Sequence, residues 1–260
     1  MSTDPLSIER RGKVAILAMN RPQSRNALDR ELIAALTGGI ASVADDPDVR
    51  AVILTGSGGS FCAGADLKKA MSDGLDGDLS TRVDEFHAII RAIVSARQPF
   101  VAAIDGAAVG FGADLALACE LRVMSTRAYV QEKFVNIGLM PDGGGTFWLP
   151  RLVGIGRAFE LLMLGRKVEP AEALALGITN RVVEPEALGE AALELASALA
   201  DGPPLALAAI KRAVRAGLGG TIDDALAREK QGQLELLRSQ DLLAGVLGWM
   251  QGKKPEFTGK

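Results

Sequence analysis

Phe100–Ile104 (FVAAI), followed at once by Asp105–Asp114 (DGAAVGFGAD), is the stretch that decides the fold. An unbroken apolar run predicts a strand buried on both faces, and the glycines after it predict a tight turn into a helix. The same order recurs at Val49–Thr55 (VRAVILT), which is followed by Ser60–Lys68 (SFCAGADLK). This repetition predicts an α/β protein in which helices cover both faces of the sheet.

Further elements extend this pattern in both directions. Val14–Met19 and Leu121–Met124 predict strands, and Asp29 is expected to cap a helix whose apolar residues recur every 3.6 positions. The polar, glycine-rich Met71–Leu79 is predicted to be a mobile loop. Beyond residue 185 the patterns become helical, at Ala187–Ala200, Leu205–Leu218, Ile222–Arg238 and Gln240–Met250. We therefore predict a main domain over 1–185 and a helical region over 186–260 that docks on the main domain or on a neighbouring subunit.

The composition excludes several classes of protein. The chain has 260 residues, of which 48% are hydrophobic, and its formal net charge is −3. This balance argues against a disordered protein and against a nucleic-acid binder. No apolar run has the length of a transmembrane helix, residues 1–5 lack the features of a secretory signal, and two cysteines, Cys62 and Cys119, cannot build a disulfide framework. We expect a cytoplasmic protein without membrane or nucleic-acid partners.

The residues available for chemistry are few. His87 is the one histidine of the chain, so a two-histidine metal site is excluded and no metal is expected. Two helix-start amides that point at one spot would form an oxyanion hole, and the glycine turns of Ser60–Lys68 and Asp105–Asp114 supply candidates. A third turn, Met140–Thr146 (MPDGGGT), carries Asp142. Asp142 either caps a helix that starts at Gly143 or serves as an acid or base.

Taken together, the motifs resemble the crotonase superfamily, which comprises enoyl-CoA hydratases and isomerases. The resemblance spans nearly the whole chain, at Asn20–Pro22, Arg25–Leu28, Phe61–Leu67, Ile104–Gly106, Gly138–Pro141, Pro150–Gly154 and Pro255–Gly259. Within the superfamily, Ile137–Thr146 and Leu149–Gly154 most resemble the ring-epoxide and enoyl-CoA isomerases of aromatic-acid breakdown.

This resemblance implies a fold of repeated ββα units with a C-terminal helical region that builds a homotrimer or a dimer of trimers. It implies an acyl-CoA thioester substrate, with coenzyme A as part of that substrate and no other cofactor. The amides of Ala65 and Phe111 would hold the thioester oxygen. The residues that would contact the substrate are Arg25, Ala27, Ala63, Asp66, Leu67, Lys68 and Phe134, with Trp249 and Lys253 or Lys254 supplied by a neighbouring subunit.

The departures from the superfamily pattern favour one reaction. Hydratases of the superfamily carry two glutamates, and this chain has Asp114 and Phe134 at those positions. With half of the carboxylate pair missing, we predict isomerisation of an enoyl-CoA, with Asp142 as the acid/base and a thioester enolate in the oxyanion hole.

Other reactions stay open from the sequence. The alternatives are an enoyl-CoA hydratase, an aryl-CoA dehalogenase-like hydrolase with Asp142 as nucleophile and His87 as base, and a non-catalytic acyl-CoA binder. His87 lies at the edge of the apolar face formed by Val83, Phe86, Ile90, Ile93 and Val94. Its simplest interpretation is therefore a histidine of the core.

Overall fold

The computed structural model describes residues 4–72, 78–217 and 219–260 and shows a six-stranded sheet. The first pair of strands is antiparallel and the other neighbours run parallel. In spatial order the strands are β1 (Leu6–Arg11), β2 (Val14–Met19), β3 (Ala51–Gly56), β4 (Phe100–Ile104), β6 (Leu121–Ser125) and β9 (Arg181–Val183). A smaller sheet has the order β5 (Ala107–Val109), β7 (Tyr129–Gln131) and β8 (Lys167–Val168).

The helices follow the strands and then dominate the C-terminal third. They are α1 (Arg30–Asp45), α2 (Leu67–Ser72), α3 (Leu79–Ser95), α4 (Phe111–Ala118), α5 (Gly145–Val153), α6 (Ile155–Leu164), α7 (Pro170–Ala175), α8 (Leu188–Ala200), α9 (Pro204–Gly217), α10 (Ile222–Leu236) and α11 (Gln240–Gln251). The predicted α/β class with a helical C-terminal region is confirmed. The two ends of the predicted loop Met71–Leu79 belong to helices, since α2 ends at Ser72 and α3 begins at Leu79. Residues 73–77 lie outside the described part of the chain.

Both faces of the large sheet are buried, as the unbroken apolar strands predict. On one face, alternate residues of β2, β3 and β4 pack with the apolar sides of α1, α3 and α4. On the other face, the intervening residues of the same strands pack against α8 through Leu188, Ala192, Ala196 and Ala200. The first helix after residue 185 therefore forms one layer of the sheet's core, and the division at 185/186 stays a prediction.

The first helix, α1, confirms the prediction made from the 3.6-residue spacing of apolar residues. Asp29 caps it by accepting a hydrogen bond from the Leu32 amide, and the predicted stripe of Leu32, Leu36, Ile40 and Val43 is buried. Gly39 lowers the helix propensity of α1 but has a packing role. A Cβ at Gly39 would lie 2.6 Å from Leu6 Cδ2, so glycine lets α1 approach β1 closely.

The C-terminal helices leave much apolar surface open in one protomer. α9, α10 and α11, with the turn after α10, expose large side chains, among them Leu226, Leu234, Leu237, Val246, Trp249 and Met250. Over the described residues, no single helix is both long enough and apolar enough to cross a membrane; Pro185–Ala200 and Pro204–Gly217 meet that test only together, across a bend of 103°.

Candidate active site

Two backbone amides, those of Ala65 and Phe111, are positioned by a shared register. Cys62 and Ala108 form an isolated parallel bridge, and each amide lies three residues beyond one of these partners. Each amide also follows a glycine with positive φ, Gly64 at 86° and Gly110 at 55°, a region that L side chains rarely adopt. Among the described residues neither N–H has a hydrogen-bond acceptor. The two strand–turn–helix passages thus present a pair of free donors, as an oxyanion hole requires.

Phe111 carries a bulky side chain at a position proposed to bind substrate through its amide, and its ring points into the protein. The side chain is 1% exposed and contacts the Phe86 ring edge-on, with centroids 4.8 Å apart. A Cβ on Gly143 would lie 2.9 Å from the Phe111 ring, so glycine at 143 makes room for it. The side chain therefore leaves its own amide accessible.

Phe134 forms an apolar wall beside these donors. It begins a short 3₁₀ turn, Phe134–Ile137, and is 8% exposed. A Cβ on Gly110 would lie 3.7 Å from the tip of its ring. A benzyl side chain next to the oxyanion glycine offers a water molecule neither a hydrogen-bond acceptor nor a base.

Asp142 is half-buried, with its Oδ1 covered and without a hydrogen-bond partner among the described residues. The structure rules out the alternative that it caps a helix at Gly143. α5 begins at Gly145, its N-cap is Gly144, and no side chain caps it. Burial raises the pKa of Asp142 while the charge of His87 opposes that rise. An unsatisfied carboxyl group with a raised pKa suits proton transfer near neutral pH.

Asp114 lies behind Asp142 rather than at the surface of the site. It is fully buried in the first turn of α4, and its Oδ2 accepts a 2.9 Å hydrogen bond from the Gly143 amide. Burial, and next the charge of Asp142, raise its pKa to about 7, although the bond from Gly143 works against this rise. Asp114 therefore holds the turn that carries Asp142.

Glu132 is a further carboxyl group in this cluster, and the sequence analysis missed it. It directly follows β7, is 3% exposed, and has no hydrogen-bond partner for either side-chain oxygen among the described residues. Burial, followed by the charges of Asp114 and Asp142, raises its pKa well above the usual range. The one sequence signal was the run of three glycines at 143–145, where a Cβ on Gly145 would lie 3.0 Å from Glu132 Oε1.

His87 is not a core histidine, contrary to its simplest interpretation. Its side chain is about one-third exposed, with Nδ1 4.0 Å from a carboxylate oxygen of Asp84. α3 is rotated from the predicted orientation, because Ile89 is fully buried and Val83 is exposed. From this partly exposed position, the charge of His87 lowers the pKa of Asp142.

The residues expected to contact coenzyme A are partly assembled. Backbone hydrogen bonds pair the 25–28 segment with the 63–66 segment, including one from Ala63 to Arg25 and one from Leu28 to Gly64. Arg25 is exposed and its backbone adopts the left-handed conformation, with φ of 53°, whereas Ala27 is buried. The two segments therefore form one edge beside the Ala65 amide.

Asp66 has a structural role that the sequence did not reveal. Its carboxylate accepts from the Lys69 amide and pairs with Arg21, which also binds Asp29 and the Ala27 carbonyl. Arg21 thus ties the two segments together. Leu67 and Lys68 lie in the first turn of α2 and are exposed, so they remain open to a ligand.

Trp249 and Lys253 are not brought to this site within one protomer. Trp249, in α11, is 83% exposed, and Lys253 follows the helix. The segment around them contacts α9 and Arg50, and the neighbouring Lys254 pairs with Asp201. Their proposed action from a neighbouring subunit therefore stays a prediction. Among the side chains that the structure describes, no group of His, Cys, Asp and Glu is arranged to hold a metal ion.

Comparison with known proteins decides the family. The model of the enoyl-CoA hydratase/isomerase family matches residues 9–260. The chain belongs to this family. A probable enoyl-CoA hydratase of Rhodobacter capsulatus is 37% identical over 247 residues, and the 1,2-epoxyphenylacetyl-CoA isomerase of Escherichia coli is 35% identical over 250 residues. Each of these alignments covers 95% of both chains.

Solved structures agree with this assignment. The crystal structure of an enoyl-CoA hydratase from Bacillus anthracis superimposes with a TM-score of 0.93 at 32% identity, and the match covers 98% of this chain and 100% of that chain. The predicted crotonase fold is confirmed. An acyl-CoA thioester is accordingly the substrate class of this enoyl-CoA hydratase/isomerase family member.

Proposed function

We propose that the protein isomerises an enoyl-CoA, by moving a double bond or rearranging a ring, with Asp142 as the acid/base. One observation carries this proposal. Of the three clustered carboxyl groups, Asp142 alone is partly exposed, whereas Asp114 and Glu132 are buried behind it. A 1,3-proton shift needs one base that removes a proton at one carbon and returns it at another.

The amides of Ala65 and Phe111 would bind the thioester oxygen and stabilise the enolate that forms between the two proton transfers. Each such donor contributes on the order of 3–4 kcal/mol to the stability of the transition state. Because both donors belong to the backbone and are fixed by the Cys62–Ala108 bridge, they need no rearrangement when the charge develops.

Hydration is disfavoured by Phe134. Water must be oriented and deprotonated before it adds to a double bond, and the ring beside Gly110 can do neither. Relatives carry both kinds of name, since the Escherichia coli protein is an isomerase by name and the Rhodobacter capsulatus protein a probable hydratase. The aromatic-acid branch of the family is likewise a proposal that rests on the Escherichia coli relative.

A hydrolytic reaction is the second candidate, because His87 is partly exposed and its charge lowers the pKa of Asp142. In this scheme Asp142 attacks the halogenated ring carbon of an aryl-CoA, the halide leaves, and an aryl ester forms. His87 then deprotonates a water that hydrolyses the ester and regenerates the carboxylate.

The test compares a 3-enoyl-CoA, a 2-enoyl-CoA and a halogenated aryl-CoA side by side with the purified protein. Isomerisation of the 3-enoyl-CoA without net hydration supports the proposal. Sustained halide release from the aryl-CoA favours the hydrolase, provided that Asp142→Asn abolishes the release and His87→Ala limits it to a single turnover by trapping the aryl ester. Thioester binding without turnover of any of the three would indicate a non-catalytic acyl-CoA binder.

Two further features are proposed from the sequence. The exposed apolar faces of α9 to α11 support assembly into a homotrimer or a dimer of trimers, since so much apolar surface is unusual for a monomer. A cytoplasmic location is likewise a proposal, in keeping with a chain that has only two cysteines.

A further inference from the structure

Asp114 and Glu132 form a buried carboxyl pair that the proposed reaction does not use directly. Asp114 comes from α4 and Glu132 follows β7, so the fold brings them together from separate elements. Within the described parts of the chain, neither forms an ion pair with Lys, Arg or His. Two ionised carboxylates would be costly in such a place, because both lose hydration and repel each other.

The geometry shows where these two groups meet. A Cβ on Gly145 would lie 2.7 Å from Asp114 Oδ1 and 3.0 Å from Glu132 Oε1, so both oxygens face the same side of the Gly145 backbone. Among the described residues neither oxygen accepts a well-formed hydrogen bond, although the nearby Gly145 amide lowers the pKa of Asp114. Since an ionised carboxylate only accepts hydrogen bonds, the pair is satisfied only when one of the two groups carries a proton and donates it.

The hydrogen-bond partners indicate which group carries the proton. Asp114 accepts from the Gly143 amide, and an N–H that points at a carboxylate favours the ionised form. Glu132 has no such donor. We propose that Glu132 is a protonated positioning residue whose O–H donates to Asp114 Oδ1, fixing the carboxyl group that holds the turn of Asp142.

This role rests on the proposed function of Asp142, because Glu132 acts on the reaction only through Asp114 and the Gly143 amide. The charges that bear on this pair are Asp114 itself, Asp142 on the turn before α5 and, through Asp142, His87 of α3. Burial and two neighbouring carboxylates raise the pKa of Glu132 well above normal, in agreement with a neutral side chain.

The first test does not depend on activity. Infrared spectroscopy of the protein at pH 8 should show the C=O band of a neutral carboxylic acid. This pH lies above the pKa of about 7 for Asp114, so the band reports on Glu132. Glu132→Gln should abolish this band, whereas Asp142→Asn should leave it in place. A wild-type protein without the band, or a band that survives Glu132→Gln, would overturn the assignment.

The second test separates positioning from mere packing. Glu132→Gln keeps an N–H donor toward Asp114, whereas Glu132→Met fills similar space without one. We expect Glu132→Met to lower kcat by about tenfold or more at nearly constant KM, since small displacements of a reacting group are costly. Glu132→Gln should restore most of kcat.

Equal kcat values for the Met and Gln variants would overturn the positioning role, even if both fold. The infrared result does not depend on turnover. If the band is assigned to Glu132 but Asp142 proves not to be the acid/base, the proposed function alone has failed.

Discussion

The backbone N–H of Gly143 donates a 2.9 Å hydrogen bond to Oδ2 of Asp114, which ties the turn of Asp142 to the first turn of α4. The same helical turn begins with Phe111, whose amide is one of the two donors proposed to form the oxyanion hole. The group proposed to move the proton and the group proposed to stabilise the enolate therefore have a common anchor. Displacing that anchor disturbs both at once.

Replacing Asp142 by Asn should remove the acid/base and little else. Asn has nearly the same shape, so thioester affinity should change little, while the isomerisation rate should fall by at least about 10²-fold. Steady-state kinetics together with titration of a non-reactive acyl-CoA measure the two effects separately. Asp45→Asn, an exposed change on α1, is the matched control. Full turnover by the Asp142→Asn enzyme would rule out the assignment.

Gly110→Ala tests the oxyanion amide through the backbone. The position has φ of 55° and ψ of −126°, and the space around it would accept a methyl group, so the cost is conformational. The Phe111 N–H should turn away, and kcat should fall by roughly 10²-fold, the typical loss for one donor. Gly12→Ala is the control, since Gly12 also has positive φ and open space but lies in the β1–β2 turn. Equal kinetics for the two variants would argue against the Phe111 donor.

Phe134→Glu should introduce hydration of crotonyl-CoA, which the native protein should catalyse slowly. A carboxylate beside Gly110 supplies the base that the ring lacks. Phe134→Leu is the control, because it changes the shape of the wall without adding a base. Absorbance of the enoyl thioester measures water addition, and thermal melting reports the cost of a buried charge. Rapid hydration by the unmodified protein would contradict this map of the site.

The buried carboxyl groups should make stability fall as pH rises. The pKa of Asp114 is about 7 in the folded protein and 3.8 in its ordinary state, so the folded protein holds this proton more tightly. Between these two values the unfolded chain binds fewer protons, and the free energy of unfolding decreases with increasing pH.

Asp114→Asn removes this titration, so its free energy of unfolding should decline less between pH 5 and pH 8 than that of the wild type. Urea denaturation at several pH values measures the slope. Asp45→Asn should keep the wild-type slope. A slope that Asp114→Asn leaves unaltered would mean that Asp114 is already ionised at pH 5.

Trp249→Ala tests assembly and the proposed contribution of a neighbouring subunit. A side chain that is 83% exposed contributes little to the packing of one protomer, so we expect it to contact a neighbouring subunit. Its removal should therefore lower oligomer mass and weaken CoA-thioester binding together. Sedimentation and isothermal titration measure the two quantities. Ile8→Ala, on the edge strand β1 and also exposed, is the control. Unchanged mass and affinity would refute the role of Trp249.

The sequence was most informative where burial is complete. Val14–Met19 and Phe100–Ile104 are strands with the predicted bounds, because unbroken apolar runs have few alternatives inside a protein of this size. Leu6–Arg11 was missed because it is an edge strand with mostly exposed, charged residues. β5, β7 and β8 have two or three residues each, too few for a periodic signal.

Part of the candidate site could be predicted and part could not. Local glycine turns indicated the two strand–helix passages, because neighbouring residues determine the conformation of a turn, and the resemblance to the crotonase superfamily selected the amides of Ala65 and Phe111 within them. Burial of Glu132 depends on Asp114 and Gly145, which reach it from other elements, so no local pattern reveals it. His87 was misjudged for a similar reason, because the rotation of α3 is set by packing rather than by its own apolar spacing.

The packing of α8 has a consequence for synthesis on the ribosome. Strands β2, β3 and β4 emerge within the first 104 residues, yet the helix that covers one of their faces ends at Ala200. For more than a third of the chain's elongation, Val14, Ile53 and Val101 therefore all lack their native cover. A nascent chain in this interval exposes an apolar sheet face, which is the kind of surface that chaperones bind and that aggregates when release is delayed.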